Sequence, residues 1–148
     1  MKQYYEDFAL GERATSSGRV LTEEDVRRFI VCTGNDHPIH TDRTYCERNP
    51  LVSGCVVQGT LVLGVADGLM AQETLPSDCS IIHYGSNGVR FLRPVYPGDT
   101  IHIETETIFK RIKNPSFGLI TFSVCVRNQR GEPVVIYEDI QMIERKSP

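Results

Sequence analysis

Apolar residues recur along the first part of the chain with the spacing of a helix. From Val26 onward they return at intervals of three and four residues, which is typical of one helix face packed on a core. Thr22 and Asp25 stand at the spacing of a capping box, and Gly34 is typical of a helix end. The pattern therefore predicts a first helix from Thr22 to Gly34, followed by a loop.

A second helix is predicted from about Gly59 to Gln72, and it has no polar face. Apolar residues surround its whole circumference: Leu61, Val62, Leu63, Val65, Ala66, Leu69 and Met70. Such a helix must be enclosed by other structure. The stretch Leu51–Ala71 approaches the length of a membrane span, but Asp67 and several glycines interrupt it, so a buried helix is the better interpretation and no membrane contact is expected.

From Ser80 onward, apolar residues alternate with polar ones, which indicates strands. The alternation is clearest over residues 101–107 and 119–126, and a closing strand is predicted over residues 134–143. A helical first half and an antiparallel second half predict an α+β fold in which one antiparallel β-sheet is wrapped around a long central α-helix. We expect one domain of this hotdog type over residues 1–148.

The composition excludes several classes of protein. Hydrophobic residues make up 40% of the 148 residues and charged residues 24%, which is the balance of a globular chain. With 16 Lys and Arg against 19 Asp and Glu, no broad contact with nucleic-acid phosphates is expected. Five cysteines without a C-x-x-C pair, and an N-terminus without an apolar signal core, favour a cytoplasmic protein with reduced thiols.

The loop after the first predicted helix concentrates ionisable groups. Residues 33–42 read Thr-Gly-Asn-Asp-His-Pro-Ile-His-Thr-Asp, and residues 57–60 read Val-Gln-Gly-Thr. These segments resemble the MaoC-like dehydratases, the (R)-specific enoyl-CoA hydratase family. In that family the loop reads roughly Thr-Gly-Asp-x-Asn-Pro-x-His-x-Asp, and a His-Gly pair opens the central helix. Further similar segments at 5–8, 90–95, 97–100 and 128–131 extend the resemblance over most of the chain.

The resemblance implies a hydro-lyase that reversibly adds water across the α,β double bond of a short-chain enoyl-CoA thioester. This reaction needs a base for water, an acid for the α-carbon and donors for the enolate oxygen. His40 matches the family's catalytic histidine, and Gly59 matches the glycine whose backbone amide serves as oxyanion donor. No cofactor beyond the CoA of the substrate is implied. A homodimer or higher homo-oligomer, joined through sheet edges, is expected.

The chain departs from the family pattern at the catalytic aspartate. Asn35 stands at that position, Asp36 occupies the next, variable position, and His37 replaces the asparagine before proline. Asn35 can orient water but cannot act as a base. Three interpretations stay open. His40 alone moves the proton while Asn35 positions the water; or Asp36 or His37 turns inward as a partner; or hydration has been lost and the pocket only binds or hydrolyses thioesters.

Five further residues are predicted to bind substrate: His37, Gln58, Thr60, Arg90 and Arg93. The arginines are candidates for the phosphates of CoA. The polar residues Gln58 and His37 would suit a branched or dicarboxylic C5 acyl group such as itaconyl- or mesaconyl-CoA. A hotdog acyl-CoA thioesterase and a non-catalytic acyl-CoA-binding module are the alternative functions.

No metal site is predicted. His37, His40 and Asp42 lie in one loop with a proline between the histidines, which is a weak match to zinc-ligand spacing. His83 and His102 fall on predicted strands, where we expect ordinary sheet residues.

Overall fold

A computed structural model describes residues 3–146, so residues 1–2 and 147–148 of the predicted domain lie outside the described part. The helices are α1 (Glu23–Thr33), α2 (Arg43–Arg48) and α3 (Gly59–Glu73). The strands are β1 (Arg13–Thr15), β2 (Arg19–Val20), β3 (Ile81–Phe91), β4 (Thr100–Ile112), β5 (Phe117–Arg127) and β6 (Pro133–Glu144). Short 3₁₀ turns cover Tyr5–Asp7 and Pro38–His40.

The strands form one antiparallel sheet in the order β1-β4-β5-β6-β3, with β2 also pairing on β4. α3 lies against one face of this sheet, where Val62, Ala66 and Met70 are at most 1% exposed. Among the strands of residues 3–146, β3 pairs only with β6 and therefore forms an edge of the sheet. The predicted α+β hotdog arrangement, an antiparallel sheet around a central helix, is confirmed.

The ends of α1 follow the predicted capping chemistry. The Asp25 amide donates to Thr22 Oγ1 at 3.1 Å, and the Thr22 amide donates to the Asp25 carboxylate at 2.8 Å. Gly34 ends the helix with φ of 74°, a left-handed conformation that glycine adopts without steric cost. These caps fix where the helix stops, and thus where the loop that carries His40 begins.

The long apolar stretch Leu51–Ala71 is not one continuous helix. Residues 51–58 are irregular, and α3 begins at Gly59, as predicted. Between residues 3 and 146, none of the helices has the length and apolar composition needed to cross a bilayer.

Gly118 on β5 lies directly against the ring of Tyr5, which is 9% exposed. A β-carbon at position 118 would overlap that ring. We expect Gly118→Ala to lower the free energy of unfolding by about 1–3 kcal/mol, because Tyr5 must leave its place. Chemical denaturation followed by circular dichroism measures the change. Gly85→Ala on β3, which meets nothing within 4 Å, is the control. Equal losses in both variants would contradict the assignment.

Candidate active site

The loop between α1 and α2 turns sharply so that His40 comes to lie beside the segment that leads into α3. His37 caps the 3₁₀ turn at Pro38–His40, because its Nδ1 accepts a hydrogen bond from the Ile39 amide at 3.3 Å. Asp42 caps α2 by accepting from the Tyr45 amide at 3.1 Å. His37 and Asp42 therefore serve the local backbone.

A hydrogen bond between His40 and Val56 defines the protonation of the imidazole. His40 Nδ1 lies 2.8 Å from the Val56 carbonyl oxygen. A carbonyl oxygen only accepts, so Nδ1 must carry the proton, and in the neutral ring the lone pair is on Nε2. The Val56 amide in turn donates to the Ile39 carbonyl at 3.1 Å. Two hydrogen bonds thus tie the turn to the start of α3 and leave Nε2 as the basic atom.

The first amides of α3 are free to bind an anion. The amides of Leu61 and Val62 already donate to the Gln58 carbonyl, at 3.0 and 3.1 Å. The amides of Gly59 and Thr60 have no acceptor within residues 3–146. They lie at the positive end of the dipole of a 15-residue helix. The start of α3 is therefore able to stabilise a developing oxyanion without a charged side chain.

A cavity of about 470 Å³ opens where these elements meet. Much of its wall is apolar and comes from Ile39, Val56, Val62, Phe91, Leu92 and Val95. A few polar groups interrupt this wall, which is the composition typical of a small-molecule site.

Phe91 covers the beginning of α3 closely. A β-carbon at Gly59 would lie only 2.8 Å from Cε1 of the Phe91 ring. Glycine at position 59 therefore lets an aromatic wall approach the helix start. The neighbouring Arg90 and Arg93 were predicted at the site, but Phe91 and Leu92 were not, because the alternating pattern of a strand does not reveal which of its residues will reach the start of the helix.

Five of the residues predicted to form the site line this cavity: Asn35, His40, Gly59, Thr60 and Arg93. The structure thus brings the loop residue at the family's aspartate position, the histidine and the start of α3 to one space. Arg93 stands at the wall with its Nη1 donating to the Pro133 carbonyl at 3.0 Å.

Four predicted residues lie outside the cavity. Asp36 and His37 are exposed on the loop, and Arg90 is exposed on β3, where its Nη1 donates to the Val89 carbonyl. Gln58 is only 1% exposed, and its Nε2 is 3.4 Å from the Asn35 carbonyl. The Gln58 side chain thus points into the core, whereas the next residue, Gly59, lines the cavity. Successive residues at a helix start point to different sides.

Two thiols lie beside the 3₁₀ turn. Cys46 is 1% exposed and its Sγ donates to the Ile39 carbonyl at 3.2 Å, while Cys55 Sγ is 2.9 Å away. Burial, with the neighbouring Cys55 thiol, raises the pKa of Cys46 to about 11. Cys46 therefore supports the turn as a neutral thiol.

A family model described as the MaoC-like domain matches residues 8–125. The chain belongs to this family. Protein MaoC of Klebsiella aerogenes is 28% identical over 113 residues, and the beta-methylmalyl-CoA dehydratase of Chloroflexus aurantiacus is 26% identical over 149 residues. The matches cover 76% and 98% of this chain. The chain spans only 33% and 41% of the length of these two relatives.

A solved structure agrees with the family assignment. The X-ray structure of a monoamine oxidase regulatory protein from Archaeoglobus is 33% identical and superposes with a TM-score of 0.89. The match covers 97% of this chain and 95% of that one. The resemblance inferred from the loop and helix motifs is thereby confirmed, together with the fold that it implied.

The two environments of Cys32 and Cys46 predict different reactivity. Cys32 is exposed on α1, whereas Cys46 is buried. A thiol with a pKa of about 11 is about 0.1% thiolate at pH 8, and thiolate is the reactive form. We expect iodoacetamide at pH 8 to modify Cys32 and to spare Cys46, as read by peptide mass spectrometry. Denatured protein, in which both react, is the control. Equal labelling of the folded chain would refute the buried thiol.

Proposed function

We propose that the protein is a hydro-lyase that reversibly adds water across the α,β double bond of a short-chain enoyl-CoA thioester. The observation that carries this proposal is that His40, protonated at Nδ1, lines the same cavity as the free amides of Gly59 and Thr60. Membership of the MaoC-like family supports the reaction class.

In the proposed reaction His40 acts as both base and acid. Nε2 takes a proton from water, and the resulting hydroxyl adds to the β-carbon of the enoyl group. The electrons of the double bond move into the thioester and form an enolate, whose oxygen accepts from the amides of Gly59 and Thr60. The imidazolium then returns the proton to the α-carbon. The Nδ1 bond to Val56 holds the ring while Nε2 loses and gains the proton.

Asn35 suits the task of holding the water. Asn35 lines the cavity, and its side chain offers both a donor and an acceptor, but no ionisable proton. Asp36 and His37 are exposed on the loop and contribute nothing to the cavity wall. This geometry favours the interpretation in which His40 alone moves the proton.

Arg93 indicates which acyl group the cavity would accept. It is the cationic side chain among the cavity residues described, and a guanidinium pairs well with a carboxylate. The Chloroflexus relative is named for a substrate of the malyl-CoA type, beta-methylmalyl-CoA. We therefore favour a branched or dicarboxylic C5 acyl-CoA, such as itaconyl- or mesaconyl-CoA. The choice of acyl group now depends on Arg93, because Gln58 and His37 lie outside the cavity. We place the reaction in the cytoplasm, where CoA thioesters would be the substrates. Free cysteines in the described chain agree with this reducing compartment.

A panel of enoyl-CoA thioesters tests the proposed reaction. We expect crotonyl-CoA or mesaconyl-CoA to lose the absorbance of the conjugated thioester without release of free thiol. His40→Ala should lower kcat by at least about a hundredfold, since it removes the acid and base. Asn35→Ala should lower it by about tenfold, because the water loses its position. Asp36→Ala, on the same loop but outside the cavity, is the matched control and should keep full activity.

The same assay separates the alternatives. Thiol release from saturated acyl-CoA would indicate a thioesterase. CoA binding without turnover, unchanged in His40→Ala, would indicate a binding module. Loss of activity in Asp36→Ala alone would assign the partner role to that carboxylate and contradict the mechanism above.

A homodimer joined through β3 is part of the proposal. β3 is an edge strand in this chain, and Ile82 and Tyr84 on it are 59% and 49% exposed. An exposed apolar edge with unpaired backbone groups is a template for pairing with a second copy.

Charges on β3 test this association. We expect the wild-type protein to have at least twice the chain mass of 16.7 kDa in light scattering. The double variant Ile82→Lys and Tyr84→Lys should shift toward the monomer, because lysines on an edge strand oppose edge-to-edge pairing. Leu51→Lys, which changes a residue 82% exposed away from β3, is the control. An unchanged mass in the double variant would place the contact elsewhere.

A further inference from the structure

The core-facing side of β6 carries three buried polar residues in succession. Tyr137, Asp139 and Gln141 alternate along the strand and are 6%, 1% and 2% exposed. The same face is apolar before and after them, at Val135 and Ile143. Buried polar groups cost free energy unless they are bonded. This row therefore needs partners that an apolar core does not supply.

Asp139 meets an imidazole and a second carboxylate. His83 Nδ1 lies 3.5 Å from Asp139 Oδ1 and 3.5 Å from Asp67 Oδ1. The three ligand atoms all lie within 4.8 Å of one another. They come from β6, β3 and α3, so the packing of three elements sets their separation. His83 is thus not the ordinary strand residue that the sequence pattern suggested.

One oxygen of the cluster is buried and makes no hydrogen bond with the described residues. Asp139 Oδ2 accepts from Gln141 Nε2 at 2.7 Å, but Oδ1 has no hydrogen-bond partner among the described residues. That unpartnered oxygen is the one directed at His83 Nδ1. The orphaned atom points to a missing positively charged partner.

We propose that Asp67, His83 and Asp139 bind a divalent transition-metal ion of the zinc class. A tetrahedral ion with ligands about 2.0–2.2 Å away separates neighbouring ligand atoms by about 3.3–3.6 Å. The 3.5 Å distances from His83 Nδ1 to both carboxylates match this spacing. Two oxygens and one nitrogen form a donor set that such ions accept, with water in the fourth position.

Outer hydrogen bonds already orient two of the ligands. Gln141 holds Asp139 through Oδ2, and His83 Nε2 lies 3.0 Å from Ser86 Oγ, which leaves Nδ1 toward the carboxylates. Supporting bonds of this kind are typical of metal ligands. None of the three ligands lines the cavity of His40, so this site does not depend on the proposed hydration.

Metal binding by the full chain tests the proposal directly. Protein dialysed against EDTA and then titrated with ZnCl₂ should bind one equivalent per chain by calorimetry and elemental analysis. The unfolding temperature should rise with added zinc. Asp139→Asn and His83→Gln should each weaken the affinity by at least about tenfold. His102→Gln, another histidine on a strand, should leave it unchanged.

Two controls separate loss of metal binding from loss of folding and from binding at cysteines. Asparagine has nearly the same shape as aspartate, so Asp139→Asn should fold, which circular dichroism without metal verifies. Cobalt(II) gives an independent spectrum: nitrogen and oxygen ligands produce visible bands without thiolate charge transfer. The proposal is overturned if the wild type binds no zinc or cobalt, if Asp139→Asn and His83→Gln both bind as well as the wild type, or if thiolate bands place the ion at cysteines.

Discussion

The structure depends on the burial of one face of α3 against the sheet. Val62, Ala66 and Met70 are almost fully buried against the sheet, and the free energy gained there comes from removing apolar surface from water. The first turn cannot be buried in the same way. The amides of Gly59 and Thr60 have no acceptor in the described chain, and burying an unbonded amide costs free energy. The inner face of the helix body is therefore covered, whereas Gly64, Asp67 and Ala71 on its outer face stay exposed, and the helix start lies at a cavity. The polar chemistry of the site is a consequence of packing.

The histidine is coupled to that helix start through backbone atoms. His40 donates to the Val56 carbonyl, and Val57 donates to the Val95 carbonyl at 2.8 Å, so loop, helix start and the segment after β3 form one connected frame. The frame fixes the position of the basic nitrogen without a carboxylate. His40 and the start of α3 are thus held together although Asn35 stands where the resemblance to the MaoC-like family implies an acid.

The sequence predicted the elements whose causes are local. The caps at Thr22 and Gly34 and the start of α3 at Gly59 rest on short-range chemistry, and all three are confirmed. β1 and β2 have only three and two residues, too short for a period, and they exist because β4 offers them partners. α2 was missed for a similar reason, since Cys46 is its single buried residue.

The site was predicted in part, for a geometric reason. Adjacency in sequence does not give direction, so Gln58 and Gly59 were assigned to one pocket although Gln58 points into the core. The polar row on β6 carried a signal that could have been found. Tyr137, Asp139 and Gln141 occupy alternate positions between apolar residues of the same face, which indicates polar groups under the helix.

Both polar sites involve α3, and their separation limits what the second can do. Asp67 follows Gly59 by eight residues, which is about 12 Å along a helix that rises about 1.5 Å per residue. An ion at Asp67 is therefore too far along the axis to touch a group bound at the helix start. Its effect would be mechanical, because Asp67, His83 and Asp139 would be drawn together and would fix α3 against β3 and β6. The direction of that axis determines where the amides of Gly59 and Thr60 point, so rigidity near the middle of the helix serves chemistry at its start.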